Sequence, residues 1–495
     1  MNTLLGIDFG TGGCKITLTD TQGNVLDSAS GEYPSSHPHP GWSEQNPADW
    51  WNAMCKTLAA LQQRDAWKNN TIAAIALDSY THGAVLLDQN LNVIRPTIIW
   101  TDQRSAKESN QLKQEHGDMI FKIAGQMPTP TWTLPQMCWL NNNEPDAMAK
   151  VKHISFVKDY IRFLLTGNLA TDRIECQGTL FNDMASDSWS PELLELANID
   201  PDALPPIKDI TDSAGAITSE AARQTGIPQG TPVIMGTSDS AIEAYAAGAI
   251  NPGQCIIKLA TAGNVNVMTE KAYPHPATLT YAHVIKGMYY TVTATNAAAI
   301  CQRWFRELCC AEEVAEARKT GVNVYDLINQ KAEATPPGSN GVMFHPYLSG
   351  ERSPYWDPNL RASFTGMSMG TTKGDLSRAI LEGVAYSLKD CHRTIEEMKL
   401  PVTEYILIGG GAKSPLWAQI ICDLFQAPAT VPKACDASFG AALLAGVGIG
   451  VFESPKQAIL QSLKLDRTHQ PNQGMASFYE EQFDRYRKIH DALAF

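Results

Sequence analysis

The residues with the clearest chemical potential are an acid and the glycines that follow it. In "GIDFGTGGCK", Asp8 ends an apolar run, and Gly10, Gly12 and Gly13 come directly after it. Glycine permits positive φ and a close approach of the main chain to a ligand, and successive free N–H groups in a turn form a concavity for anions. The segment predicts a strand, a phosphate-binding turn and a second strand, with Asp8 at the mouth. The alternative is an ordinary hairpin in which Asp8 caps its own turn.

A second segment repeats this pattern about halfway along the chain. In "CIIKLATAGNVNVMTE", an apolar strand, a short turn and an alternating strand follow one another. Such a repeat indicates duplication of one domain architecture. The break at "NPGQ" places the boundary near Gly248 to Gly253, which gives domains of residues 1–248 and 249–495.

Two further turns lie between a strand and a helix. "GTSDS" places Asp239 before an alanine-rich helix expected from about Ser240. "LIGGGAKSPLWAQIICDLF" has a glycine run in the same position. The chain has no G-x-x-x-x-G-K-[ST] motif, and Ser414 stands where a dinucleotide fingerprint needs its third glycine.

The elements that must position these residues alternate along the chain. Strand-like and helical runs follow one another, which predicts an α/β fold. Apolar residues at helical spacing predict a long packed helix from Asp375 to Met398. With 495 residues, two or three domains are expected.

Composition excludes several classes of function. With 44% hydrophobic and 18% charged residues, the chain is globular. A net charge of −13 argues against a nucleic-acid or membrane partner. The 11 cysteines include no C-x-x-C pair, which indicates reduced thiols and a cytoplasmic protein. Asp8 interrupts the first apolar run too early for a signal peptide, and no apolar stretch reaches membrane-spanning length. The oligomeric state stays open, with a homodimer as one expectation.

Taken together, the two hairpins and the glycine run resemble the actin-like ATPase architecture. Within that group, the chain resembles the FGGY carbohydrate kinases along nearly its whole length. Five segments are similar to those of the xylulokinase members: "PGWSEQNPADWW", "THG", "WTDQR", "GTSDS" and "YLSGERSPYWDPNLRASFTGMS". The resemblance implies an α/β fold of two actin-like ATPase (ribonuclease-H-like) domains with an interdomain active-site cleft. Residues 1–248 would bind mainly the sugar, and residues 249–495 would bind mainly ATP.

The resemblance also implies roles for individual residues. Asp239 matches the catalytic base, although a helix N-cap is the alternative, and Asp8 matches the acid that organises Mg²⁺, through water. The nucleotide would contact Thr11, Gly12, Gly13 and Lys15 in the first turn, Thr261 and Gly263 in the second, and Gly410, Gly411, Ala412 and Ser414 at the adenosine. Lys15 could equally be a solvated strand end.

The sugar would contact a neighbouring set of side chains. This set is Thr81, His82, Trp100, Asp102, Arg104 and Asp239. His82 alone could be a core histidine, and Arg104 could be a structural ion-pair partner of Asp102.

The chain departs from the xylulokinase pattern at several positions. Thr81 replaces methionine, Tyr80 replaces glutamine and Ser240 replaces asparagine, which puts the identity of the sugar in doubt. Ala260 and Ala262 replace glycine and serine in the second turn. Alanine still permits backbone contacts there, but a hydroxyl that could touch phosphate is lost.

The expected function is therefore transfer of the γ-phosphate of ATP to a ketopentose, with D-xylulose preferred. The alternatives of the same class are L-xylulose, ribulose, glycerol and gluconate. An actin-like or chaperone-like nucleotide switch would need neither the "THG…WTDQR" segment nor the "GERSPYWDP" loop, both of which are present. An inactive regulator is disfavoured because Asp8 and Asp239 are both retained.

Overall fold

In the computed structural model, which describes residues 1–493, two mixed β-sheets form the centres of the two halves of the chain. The first sheet has six strands, ordered β5-β6-β4-β1-β2-β3, with β1, β4 and β6 parallel to one another. Its strands are β1 (Asn2–Gly10), β2 (Gly13–Asp20), β3 (Val25–Glu32), β4 (Thr71–Ser79), β5 (Ser213–Ala216) and β6 (Pro232–Ser238).

The second sheet has seven strands, ordered β9-β10-β8-β7-β11-β12-β13. Its strands are β7 (Gln254–Leu259), β8 (Gly263–Thr269), β9 (Leu279–Ala282), β10 (Tyr289–Thr295), β11 (Glu404–Ile408), β12 (Ala429–Pro432) and β13 (Leu465–His469).

The two sheets repeat one pattern of strand directions. In the first, β1 pairs antiparallel with β2, β2 with β3, and β1 runs parallel to β4, which runs parallel to β6. In the second, β7, β8 and β10 form the antiparallel part, and β7, β11 and β12 form the parallel part. The predicted duplication of a glycine hairpin within one α/β architecture is confirmed at the level of topology.

Helices cover the faces of both sheets. They are α1 (Pro47–Gln62), α2 (Asp65–Lys68), α3 (Ala106–Ala124), α4 (Thr133–Asn143), α5 (Pro145–Met148), α6 (Val157–Thr166), α7 (Arg173–Gln177), α8 (Pro191–Leu196), α9 (Ser219–Thr225), α10 (Asp239–Ala246), α11 (Ala299–Cys309), α12 (Ala311–Thr320), α13 (Val324–Glu333), α14 (Lys373–Glu397), α15 (Pro415–Phe425), α16 (Ala437–Gly448), α17 (Pro455–Ser462) and α18 (Ala476–Leu493). Not one of these helices combines the length and the apolar character needed to cross a membrane.

Shorter elements complete the fold. The minor strand pairs are Glu44–Gln45 with Thr97–Ile98, Ala84–Leu87 with His153–Phe156, Thr171–Asp172 with Ile207–Lys208, Asn182–Asp183 with Ser188–Trp189, and Met343–His345 with Ser363–Thr365. Single 3₁₀ turns are Pro201–Ala203, Ser339–Gly341, Gly411–Lys413 and Gln473–Met475.

Helix α16 joins the two halves because it comes from the second half and packs on the first sheet. A Cβ atom at Gly6 in β1 would lie 1.8 Å from the carbonyl oxygen of Ser438, so only glycine permits this approach. The hydroxyls of Thr17 and Ser438 are hydrogen-bonded at 2.7 Å. Leu4 of β1 and Leu443 of α16 belong to the same buried apolar cluster. The two halves therefore share part of one core.

The predicted helix boundaries are accurate to two residues. The long helix spans Lys373–Glu397, and Thr372 begins it with a capping box to Asp375. The alanine-rich helix begins at Asp239, with Ser238 as its N-cap. The boundary near Gly248 to Gly253 stays a prediction; every strand of the first sheet precedes it and every strand of the second follows it.

Candidate active site

The turn between β1 and β2 is held from behind by side chains of the first half. The Thr11 carbonyl accepts a hydrogen bond from Gln45 Nε2 at 2.7 Å, and the Thr11 hydroxyl accepts one from Trp100 Nε1 at 2.9 Å. A Cβ at Gly13 would lie 2.4 Å from the Gly31 carbonyl oxygen, whereas one at Gly12 would meet nothing within 4 Å. Packing thus requires glycine at position 13, and the backbone at Gly12 is open to a ligand.

The expectation of positive φ in this turn is wrong. Gly10, Gly12 and Gly13 are all absent from the residues that adopt positive φ. The turn closes an antiparallel pair in which Gly10 lies opposite Gly13, and close approach is what excludes side chains here.

A second acid lies beside Asp8. Asp8 and Asp78 are paired in register on the parallel strands β1 and β4, and Asp78 is completely buried. Burial raises the pKa of Asp8 to about 7, and that of Asp78 still further above its ordinary value. The interaction between the two carboxyls lowers the pKa of Asp8 and raises that of Asp78, so Asp78 is the member of the pair that keeps its proton.

The chemistry of this pair fits a hard cation at the open side of Asp8. Mg²⁺ is usually held by one or two carboxylates together with water and substrate phosphates. Neither carboxyl oxygen of Asp78 has a hydrogen-bond partner among the residues that the structure describes. Within residues 1–493, no group of three or more His, Cys, Asp or Glu side chains forms a ready-made metal cage. Asp8 is therefore the carboxylate that the first turn offers to a metal ion, and Asp78 is buried behind it.

Lys15 connects the two halves. Its Nζ lies 2.9 Å from Oδ2 of Asp436, the residue that caps α16. Burial alone would raise the pKa of Asp436, but Lys15 and the Ser438 hydroxyl hold it below its ordinary value. Both side chains of the ion pair are 36% exposed, so Lys15 is also within reach of a ligand at the turn.

The turn between β7 and β8 offers mainly backbone. Thr261 is exposed, and Ala260 and Ala262 are partly exposed. The carbonyls of Ala260 and Thr261 accept hydrogen bonds from the N–H groups of Ala299 and Ala298 at 2.7 and 2.9 Å. Gly263 is buried, and a Cβ there would lie 2.8 Å from the Thr295 methyl. Gly263 is thus explained by packing, and Thr261 is the residue of this turn that a ligand can touch.

The glycine run after β11 divides into packed and open positions. Gly409 has a φ of +89° and lies against the Leu259 carbonyl, and Gly411 packs on Leu259 and Trp417. Gly410 is exposed, with nothing within 4 Å of an added Cβ. The backbone at Gly410 is therefore the open surface of this run.

The two residues that follow the run are buried. Ala412 is 1% exposed, and Ser414 is 8% exposed. The Ser414 hydroxyl caps α15 by accepting from the Trp417 N–H at 3.3 Å, and it also accepts from Asn329 Nδ2 at 3.1 Å. Both buried residues therefore help to hold the glycine run in place.

Asp239 stands where β6 ends and α10 begins. Its Oδ1 accepts a hydrogen bond from the Ser240 N–H at 2.6 Å, and the Ser240 hydroxyl is bonded to the Tyr290 hydroxyl at 2.9 Å. Burial raises the pKa of Asp239 to about 6; Lys258 lowers it and Glu243 raises it. A carboxyl with such a pKa is ionised at neutral pH yet basic enough to take a proton, which suits a general base. Ser238, and not Asp239, is the N-cap residue.

His82 is a neutral histidine with one free ring nitrogen. Burial lowers its pKa to about 4. Nδ1 is bonded to the Gly178 carbonyl, which assigns the proton to Nδ1 and leaves Nε2 as an acceptor. Nε2 has no hydrogen-bond partner in the described part of the chain. The backbone has a φ of 78°, and the His82 carbonyl accepts from the Thr133 hydroxyl at 3.0 Å.

Thr81 lies against the same segment that binds His82. A Cβ added at Gly178 would lie 3.0 Å from the Thr81 Cβ, so the two residues are in contact. Tyr80, in contrast, is buried and points to the first turn, because its hydroxyl donates to Gln45 Oε1 at 2.7 Å. The Tyr80 departure therefore bears on the support of the Thr11 turn and not on the sugar.

Asp102 and Arg104 form a buried ion pair with each other. Both side chains are fully buried, with Arg104 Nη2 2.8 Å from Asp102 Oδ2. Arg104 also binds Glu44 at 2.7 Å and lies over the Trp42 ring, 3.8 Å from its centre. This buried pair has the geometry expected if Arg104 is a structural ion-pair partner of Asp102. Trp100 itself is 36% exposed and presents an aromatic surface beside the Thr11 turn.

Comparison with family profiles decides the affiliation. The profile of the N-terminal domain of the FGGY family of carbohydrate kinases matches residues 3–245, and that of the C-terminal domain matches residues 257–449. The chain belongs to the FGGY family of carbohydrate kinases. It is thus a phosphotransferase that acts on an alcohol group, with the two-domain actin-like fold of that family.

The relatives of this FGGY kinase carry more than one name. It is 31% identical to a xylulose kinase of Bacillus subtilis, over 99% of this chain and 97% of that protein. It is 30% identical to a gluconokinase of the same organism, over 91% of this chain and 88% of that protein. A crystal structure of a "xyloylose kinase" from Brucella ovis superposes with a TM-score of 0.89 at 31% identity, covering 99% of both chains.

Sequence reasoning missed two residues of the candidate site in this FGGY kinase. Asp78 ends an apolar strand just as Asp8 does, and the "ALDS" segment carries that signal. Lys258 is a lone cation in the apolar strand β7, and its Nζ lies 2.5 Å from Oε2 of Glu243 on α10. Nothing local to Lys258 shows that its partner belongs to the other half of the chain.

Proposed function

We propose that this FGGY kinase transfers the γ-phosphate of ATP to a hydroxyl of a ketopentose, with D-xylulose as the preferred acceptor. The observation that carries the proposal is the position of Asp239. Its carboxylate stands at the ends of the parallel strands that also present Asp8, and it faces Lys258, two residues before the second turn. A base there lies between the two turns that would hold the phosphates.

Each group has one task in this proposal. Asp239 takes the proton from the attacking sugar hydroxyl, and the Ser240 N–H keeps its carboxylate oriented. The open backbones at Gly12, Thr261 and Gly410, with Lys15, bind the nucleotide. Asp8 is the residue that would hold Mg²⁺, with the buried Asp78 behind it, and the ion would neutralise phosphate charge when bound.

The sugar is placed by the first half. His82 Nε2 accepts a hydrogen bond from a sugar hydroxyl, and Trp100, which is partly exposed beside the Thr11 turn, offers the sugar an aromatic surface. Closure of the two halves excludes water, so that the sugar and not water receives the phosphoryl group. The xylulose kinase names of several relatives at about this level of identity support the choice of sugar.

The decisive experiment is a coupled assay of ADP release with MgATP. The panel contains D-xylulose, L-xylulose, ribulose, gluconate and glycerol, and kcat/KM is measured for each. The highest value for D-xylulose supports the proposal. A higher value for gluconate, the substrate named by the gluconokinase relative, keeps the kinase and replaces the sugar. A homodimer and a cytoplasmic location remain predictions; sedimentation and cell fractionation test them.

A further inference from the structure

A row of four aromatic rings crosses the boundary between the two halves. In order, the rings of this aromatic row belong to His82, Trp132, Tyr281 and Tyr290. His82 and Trp132 come from the first half, and their ring centres lie 4.7 Å apart. Tyr281 and Tyr290 lie opposite each other on the paired strands β9 and β10 of the second half, with ring centres 5.6 Å apart. The rings of Trp132 and Tyr281, 6.1 Å apart, connect the two halves.

The two ends of the aromatic row coincide with the two ends of the proposed sugar site. One end is His82, whose Nε2 would accept a hydrogen bond from the sugar. At the other end the Tyr290 hydroxyl lies 2.9 Å from the Ser240 hydroxyl, and Ser240 directly follows Asp239. Tyr281 therefore lies, along the row, between the residue that would hold the sugar and the residue that would take its proton.

Strand β9 is held against the first half next to Tyr281. The Ala282 N–H donates a hydrogen bond to Gln177 Oε1 at 2.8 Å. Gln177 is the last residue of α7, and it precedes Gly178, whose carbonyl is bonded to Nδ1 of His82. The backbone beside Tyr281 is thus attached to the same segment that orients His82.

The Tyr281 hydroxyl is a polar group of the aromatic row that stays open to a ligand. The residue is 8% exposed, and its hydroxyl makes no hydrogen bond to residues 1–493. Trp132 Nε1 also lacks a partner in that range, but it is sealed from solvent, whereas the Tyr281 hydroxyl is not. Burial raises the pKa of Tyr281 well above the ordinary value, so the hydroxyl keeps its proton and can donate it to a hydrogen bond. Buried tyrosine hydroxyls usually have a partner, so a free one here points to a bound molecule.

We propose that the Tyr281 hydroxyl donates a hydrogen bond to a hydroxyl of the sugar, so that the second half supplies one side of the sugar site. The inference rests on the proposed function, since it takes His82 and Asp239 as the ends of that site. A pocket built to bond a hydroxyl strongly rejects an analogue that lacks it. Tyr281 is then a specificity-determining residue that comes from the half expected to bind mainly ATP.

Tyr281→Phe tests the contact because it deletes the hydroxyl and keeps the ring that packs between Trp132 and Tyr290. We expect kcat/KM for D-xylulose to fall about tenfold, mainly through a higher KM, since a sugar hydroxyl loses its partner in a closed site. The KM for ATP should change little. The Tm should also stay the same, because the deleted hydroxyl makes no hydrogen bond within residues 1–493.

Monodeoxy analogues of D-xylulose, each lacking one hydroxyl, show whether the contact is direct. The ratio of kcat/KM between the unmodified protein and Tyr281→Phe is measured for each analogue. The analogue that lacks the hydroxyl that receives phosphate is compared by its inhibition constant against D-xylulose. For one analogue the difference between the two proteins should disappear, because the hydroxyl that Tyr281 binds is already absent. A role in packing alone would give D-xylulose and every analogue the same ratio.

Tyr289→Phe is the matched control. Tyr289 precedes Tyr290 on β10, and successive side chains of a strand point to opposite faces of the sheet. The variant therefore removes a tyrosine hydroxyl from the same strand but not from the aromatic row, and it should leave all ratios unchanged. The inference is overturned if Tyr281→Phe behaves like the unmodified protein, if its ratio is the same for D-xylulose and every analogue, or if Tyr289→Phe causes an equal loss.

The outcomes also separate this inference from the proposed function. If the unmodified protein phosphorylates D-xylulose and Tyr281→Phe is indistinguishable from it, the inference alone fails. If the unmodified protein phosphorylates no acceptor of the panel, both proposals fail. If the panel selects another acceptor, the same comparison with that acceptor and its deoxy analogues decides the role of Tyr281.

Discussion

Asp8 and Asp78 lie side by side, in register, on the parallel strands β1 and β4. Burial raises the pKa of both groups, and the interaction between them lowers the pKa of Asp8 and raises that of Asp78. Asp8 therefore presents a carboxylate to the cleft, and Asp78 stabilises it from behind. A second ionised acid at this depth would be strongly destabilising without a cation.

Asp8→Asn should weaken the use of Mg²⁺. The amide preserves the shape of the side chain but removes the negative charge. We expect a higher Mg²⁺ concentration for half-maximal rate and a lower kcat, with the sugar KM little changed. Asp8→Ala should show the same pattern more strongly. Titration of the initial rate with Mg²⁺ is the measurement; a raised sugar KM with normal metal dependence would contradict this role.

Asp239→Asn should abolish sugar phosphorylation. The amide cannot accept the hydroxyl proton, and loss of a general base typically costs about 10²–10⁴ in rate. ATP affinity, measured by calorimetry without sugar, should change little, because Asp239 acts on the sugar hydroxyl and is not among the residues assigned to the nucleotide. Ser240→Ala is the control variant, because it changes the side chain next to Asp239 but retains the backbone N–H that orients the Asp239 carboxylate. More than about a tenth of the original kcat in Asp239→Asn would exclude the assignment.

Thr81→Met should narrow the choice of sugar toward D-xylulose. Thr81 contacts Gly178, whose carbonyl orients His82, so a longer side chain reduces the space on this wall. We expect kcat/KM for the other acceptors to fall about tenfold more than that for D-xylulose, the size of effect of a small steric change in a pocket. Thr81→Val keeps the volume of threonine but removes its hydroxyl, so this variant shows whether polarity or volume at position 81 sets the choice of sugar. Unchanged ratios across the panel would show that this wall does not touch the sugar.

Arg104→Ala should destabilise the fold far more than a surface arginine does. It leaves the Asp102 carboxylate buried without its partner and empties the space over Trp42, at a cost of about 3–5 kcal/mol. Arg64→Ala, which breaks a more exposed pair with Asp27, should cost less than about 1 kcal/mol. Urea unfolding of the three proteins is the test. Equal losses would mean that the Arg104 pair contributes no more than a surface contact.

Local patterns in the sequence were sufficient for much of this architecture. The two glycine hairpins, the helix Lys373–Glu397 and the strand end at Asp239 all depend on contacts between near neighbours in the chain. Turn residues and apolar periodicity report such contacts directly. For the same reason the family resemblance was visible in short segments.

The partners of the site residues were not predictable in this way. Asp78 meets Asp8 only because β4 runs parallel to β1, and Lys258 meets Glu243 only when the two halves are assembled. Positive φ at Gly13 was a wrong inference, because glycine also permits the close approach seen at Gly31. Residue type alone cannot distinguish these two reasons for a glycine.

The packing of α16 on β1 has a consequence for how the protein is made. The last strand of the first sheet ends at Ser238, but residues 437–448, which cover one face of that sheet, follow most of the second half along the chain. Until this segment is made, Leu4, Ala74 and Ile234 lack their neighbours in α16, and the nascent first half exposes an apolar surface. The first half therefore buries this surface only once α16 has been synthesised, and a first half expressed without α16 should be prone to aggregation.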